Sequence, residues 1–78
     1  MKVKKISERW ENGNTCYVDF EYGDLIFTLA KNYNGNEIWT FCDDIKYEIL
    51  KDIKTSLNTT VIDDIKKILK QIDDSMFP

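Results

Sequence analysis

Between residues 15 and 42, apolar and polar side chains alternate with a period of two, and turn-forming pairs interrupt the alternation twice. This is the pattern of antiparallel strands joined by tight turns. Asn34-Gly35 predicts a two-residue hairpin, because both central positions of a type I′ turn need positive φ. Centring that turn pairs Lys31 with Ile38, Leu29 with Thr40 and Phe27 with Cys42. Gly23-Asp24 is a second two-residue turn. It pairs Tyr22 with Leu25, Phe20 with Phe27, Val18 with Leu29 and Cys16 with Lys31. Both registers put one set on a common inner face: Cys16, Val18, Phe20, Tyr22, Leu25, Phe27, Leu29, Ile38, Thr40 and Cys42. A slip of one residue would turn the whole set over.

The opposite face then carries Tyr17, Asp19, Glu21, Ile26, Thr28, Ala30, Glu37, Trp39 and Phe41. A solvated face should be polar at these positions. Here Tyr17, Ala30 and Trp39 share one row, and Thr28 and Phe41 share the next.

A further strand is predicted before these, over residues 2–11, ending in Asn12-Gly13-Asn14. A three-residue loop there pairs Trp10 with Cys16, Glu8 with Val18 and Ile6 with Phe20 on the inner face. On the outer face it pairs Arg9 with Tyr17, Ser7 with Asp19 and Lys5 with Glu21, the last a favourable ion pair. A two-residue loop would turn Trp10 outward beside Tyr17. The three-residue loop is preferred, with Glu8 on the inner face as its awkward consequence.

After Cys42 the period changes to 3.6. Ile45, Ile49, Leu50, Ile53 and Leu57 form one helical stripe, with Asp43 or Asp44 to cap it. Leu57-Asn58-Thr59 breaks the pattern. Thr60, with Asp63 three residues on, resembles a capping box. Val61, Ile62, Ile65, Ile68, Leu69 and Ile72 form a second stripe that Met76 can extend. The expected fold class is α+β: a four-stranded antiparallel meander followed by two helices packed on one face. At 78 residues this is a single small domain, residues 1–78.

Composition narrows the chemistry. The net charge is −3, with no histidine and two cysteines. Residues 1–42 carry five basic and six acidic side chains, and residues 43–78 carry six and eight. Neither half holds the basic stripe that phosphate binding needs, so nucleic acid is disfavoured as a partner. No apolar run approaches the roughly 18 residues of a membrane span. Cys16 and Cys42, both inward in this register, lie two strands apart and beyond disulfide reach. Reduced thiols point to the cytoplasm. The abundance of Ile, Lys and Asn fits an AT-rich bacterial or phage genome.

Without histidine, the commonest general base and zinc ligand are missing. The pairs Asp43-Asp44, Asp63-Asp64 and Asp73-Asp74 split their carboxylates about 100° apart if helical. Lys66, Lys67 and Lys70 read as a salt-laced solvated face. No catalytic residue, metal or cofactor is expected. The outer sheet face is the candidate site. Tyr17, Ile26, Trp39 and Phe41 would anchor it, and Asp19, Glu21 and Glu37 would form its rim. The expected function is a small acidic protein-binding module, an inhibitor or adaptor. Its size and charge are shared by small phage proteins that block host-defence nucleases, an analogy of composition alone. Two alternatives use the same face: a homodimer interface, and base stacking by a single-stranded nucleic-acid-binding module.

Overall fold

A computed structural model describes residues 2–35, 38–42 and 59–76. The chain divides into two compact units, Met1–Ile45 and Lys46–Pro78, each treated on its own below. The first holds strands β1 (Lys4–Glu11), β2 (Thr15–Tyr22), β3 (Leu25–Asn32) and β4 (Thr40–Phe41). They form one antiparallel sheet in the order β1-β2-β3-β4. The second holds helix α1 (Thr59–Met76). The α+β meander is as expected. Among the described residues one helix follows it where two were expected; the first expected stripe, from Ile45 to Leu57, lies outside them.

The β2–β3 hairpin has the expected register throughout, from Tyr22 opposite Leu25 to Cys16 opposite Lys31. Gly23 takes φ 59° and Asp24 does not take positive φ, the pattern of a type II′ turn. The inward residues follow from that register. Cys16, Val18, Phe20 and Phe27 are fully buried, and Leu29 is 4% exposed. The Phe20 and Phe27 rings stack with centroids 5.4 Å apart.

β1 joins β2 through the three-residue loop. Asn12 and Gly13 both take positive φ, and the Asn14 N–H donates to the Glu11 carbonyl at 3.3 Å. Trp10 faces Cys16, Arg9 faces Tyr17, Glu8 faces Val18 and Ser7 faces Asp19. Beyond Ser7 the expected register fails. A bulge makes Ile6 an extra residue, so Lys5 lies opposite Phe20 and Lys4 opposite Glu21. Ile6 is left 47% exposed. Lys5 reaches Glu8 instead of Glu21, with Nζ 2.7 Å from Oε1. Glu8 also accepts the Trp10 indole N–H at 2.9 Å. These two bonds, the one from Lys5 first, hold its carboxyl below the usual range. They resolve the awkwardness of an acid on this side of the strand.

β4 departs from expectation by one residue. Leu29 lies opposite Phe41 and Ala30 opposite Thr40. The cause is local. Neither Asn34 nor Gly35 takes positive φ, so no type I′ turn forms there. Asn32 governs the turn instead: its side-chain Oδ1 accepts the Asn34 N–H at 2.8 Å, and its carbonyl accepts the Gly35 N–H at 3.4 Å. The slip exchanges the two faces of the strand. Phe41 joins the inner face, its ring 5.9 Å from that of Phe27. Thr40 and Cys42, expected inward, are exposed. The Cys42 N–H continues the ladder to the Thr28 carbonyl at 2.9 Å. Neither cysteine forms a disulfide.

In α1 the expected stripe is present. Val61, Ile65, Leu69 and Ile72 are buried at spacings of four and three. Ile62, Ile68 and Met76 are half-buried. Thr60 lies in the first turn of the helix, which begins at Thr59. No described helix is long and apolar enough to cross a membrane.

Two measurements check this fold. Phe27→Ala should destabilise the protein by about 3–5 kcal/mol, read as a fall in urea midpoint, because the ring is fully buried between two others. Alkylation of native protein should modify Cys42 quickly and Cys16 only after unfolding. Equal protection of both thiols would restore the register in which Cys42 faces inward.

Candidate functional site

The seven residues expected to form one surface are divided by the sheet. Tyr17, Asp19, Glu21 and Ile26 do share the outer face, through the pairs Tyr17–Ala30, Asp19–Thr28 and Glu21–Ile26. Phe41 belongs to the inner face, for the reason given by the β4 slip. Trp39 goes with it, as its contact with Tyr33 shows below. Glu37 lies outside the described residues.

The outer face is organised around Asp19. Its carboxylate accepts hydrogen bonds from the Ser7 and Thr28 hydroxyls and from Arg9 Nη2, the last at 3.1 Å. The strands place these groups together, since Ser7 and Thr28 are the direct cross-strand partners of Asp19. The hydroxyl bonds, Ser7 first and Thr28 next, hold the Asp19 carboxyl below its ordinary range, and Arg9 adds to this. Arg9 also lies over the Tyr17 ring, 5.4 Å from its centroid. The Tyr17 hydroxyl is pushed up by the negative charge of Glu11 and by its hydrogen bond to that residue. This face is therefore a polar network with Thr28 buried beneath it. Its large apolar member is Ile26, 63% exposed.

The aromatic surface lies elsewhere. Tyr33 extends β3, its N–H donating to the Asn14 carbonyl at 2.8 Å. Strand alternation puts its side chain on the side of Leu29 and Lys31. Trp10 arrives on the same side, opposite Cys16, and stacks on Tyr33 with centroids 5.7 Å apart. Trp39 meets the Tyr33 ring edge-on, 6.3 Å away at 88°. Lys31 places its ammonium 4.9 Å from the Tyr33 centroid. Glu8 accepts the Trp10 indole N–H at 2.9 Å. Trp10 is 39% exposed, Tyr33 and Trp39 are half-buried, and the neighbouring Ile38 is 68% exposed.

Three aromatic rings with one cation and one acid at their margin thus gather at the end of the sheet that carries the loop after β1 and the loop after β3. Tyr33 and Trp10 were not among the expected site residues. A two-residue turn at Asn34-Gly35 would pair Tyr33 with Asn36 at the end of the hairpin. The alternation of Tyr33 with Lys31 and Leu29 was the available signal. The arrangement offers apolar contact, ring stacking and two opposite charges, which suits recognition. The chain matches no protein-family model, no curated protein and no solved structure.

The Asp19 network predicts a pH dependence. A carboxyl with a depressed folded-state pKa contributes stability above its unfolded value near 3.9, and that contribution disappears as pH falls through the folded value. Asp19→Asn should cost roughly 1–3 kcal/mol at pH 7, since it removes bonds to a charged acceptor. The gap between wild type and variant in denaturant melts should close below about pH 4.

Proposed function

We propose that this chain is a small, non-enzymatic protein-binding module, acting as an inhibitor or adaptor by occupying the surface of another protein. The observation that carries the reading is the aromatic end of the sheet, where Tyr33 contacts both Trp10 and Trp39, with the exposed Ile38 next to Trp39 in the chain. Tryptophan and tyrosine dominate the energetics of protein interfaces, because they offer large rigid contact area at low entropic cost. Lys31 and Glu8 supply the polar margin such a surface needs. The net charge of −3 favours a partner with a basic patch around its docking site.

The outer-face homodimer has less to support it, because that face has lost Trp39 and Phe41 and gained the Asp19 network. Stacking of single-stranded nucleic acid on the aromatic end is opposed by Glu8 beside Trp10, since carboxylates repel phosphates.

Ile38→Glu tests the reading directly. The side chain is exposed, so the variant should keep the wild-type circular dichroism spectrum and urea midpoint. Partners captured from a host lysate by the wild type should be lost, with affinity for an identified partner reduced about thirtyfold or more. Equal capture by the folded variant would remove the aromatic end from the binding surface.

A further inference from the structure

β1 is an edge strand of eight residues, and among the described residues nothing pairs with its outer side. All of it except Ser7 is exposed. At about 3.3 Å per residue this is a long template for another strand. Proteins usually blunt such an edge with charged side chains, proline or bulges. Here there is one bulge and no proline, and the charges are sorted along the strand. Lys4 and Lys5 stand at its start, and Glu8, Arg9 and Glu11 in its second half, so the two ends carry opposite charges.

We propose that β1 is a homodimerisation edge. Two copies pair their β1 strands antiparallel about a two-fold axis normal to the sheet, joining two four-stranded sheets into one. The register follows from the bulge. With Ile6 as the extra residue, the remaining positions of β1 alternate without interruption between the two faces. A two-fold axis at Glu8 then pairs Lys4 with Glu11, Lys5 with Trp10 and Ser7 with Arg9. Each pair keeps to one face, as a continuous sheet requires. Lys4 lies opposite Glu21 and Glu11 opposite Thr15, so both belong to the Asp19 face. The symmetry makes the Lys4–Glu11 ion pair twice. Lys5 of each copy meets the indole of the other. The two Glu8 side chains that meet at the axis are each compensated already by Lys5, 2.7 Å away. A parallel arrangement would set Lys4 on Lys4 and Glu11 on Glu11, so the charge order selects the antiparallel one. The edge shares Trp10 and Glu8 with the aromatic end, but the inference rests on the charge order of β1 and not on the function proposed there.

The test is a charge exchange, read by light scattering across a concentration series. Wild type should show a concentration-dependent dimer that weakens with added salt. Lys4→Glu alone and Glu11→Lys alone should each weaken it roughly tenfold or more, because each replaces two attractive pairs with two repulsive ones. An equimolar mixture of the two variants should form a heterodimer about as strong as the wild type, since every end-to-end pair is then complementary. Wild-type hydrogen exchange gives a second reading without substitution: amides of β1 should slow as concentration rises. The proposal is overturned if the wild type remains monomeric throughout the series. It is also overturned if either variant dimerises like wild type, or if mixing restores nothing.

Discussion

Phe20 and Phe27 face each other across β2 and β3 with their rings stacked at 5.4 Å, and the two-residue turn at Gly23-Asp24 brings them there. Everything else in the sheet is placed relative to that pair. Because side chains alternate along a strand, aligning these two rings commits Cys16, Val18 and Leu29 to the same side and Tyr17, Asp19 and Thr28 to the other. Each large side chain taken fully out of water contributes about 1.5–3 kcal/mol. A small domain has few such contributions, so the four fully buried side chains of these two strands weigh heavily in its stability. Gly23 is the residue that lets the turn close in the required hand, with its positive φ.

What could be read from the residues was whatever a two-residue turn or a strict alternation specifies. Gly23-Asp24 gave the central hairpin, and Asn12-Gly13-Asn14 gave the loop into β2 with Trp10 opposite Cys16. The helical stripe of Val61, Ile65, Leu69 and Ile72 was equally plain, because it recurs at the helical spacing over several turns. Asn34-Gly35 misled, although it is the stronger motif by composition. A second asparagine, Asn32, accepts from the Asn34 and Gly35 amides, and the turn is centred one residue earlier, on Tyr33-Asn34. One residue of slip was enough to exchange the faces of Phe41 and Cys42. The bulge at Ile6 carried no signal of its own, because neither glycine nor a break in polarity marks it.

The candidate site was therefore partly legible. Tyr17, Asp19, Glu21 and Ile26 share a face because they belong to the hairpin whose turn was read correctly. Trp39 and Phe41 depended on the misread turn and went to the other side. The consequence is a sheet with two distinct surfaces. One is polar and cross-braced, with Asp19 gathering hydroxyls and a guanidinium from the two neighbouring strands. The other is buried at its centre and becomes aromatic and half-open at one end, where Tyr33 joins Trp10 to Trp39. Rigid rings on a hydrogen-bonded scaffold suit recognition, since little freedom is left to lose when a partner arrives.

The position of β4 divides these surfaces, and cross-strand nuclear Overhauser contacts measure it most directly. The account predicts contacts between the Phe41 and Phe27 rings, a Leu29–Phe41 backbone pair, and slow exchange of the Cys42 amide bonded to Thr28. Contacts of Leu29 with Thr40 and of Phe27 with Cys42 as direct pairs would contradict it. They would return Trp39 and Phe41 to the Asp19 face and dissolve the aromatic end on which the proposed function rests.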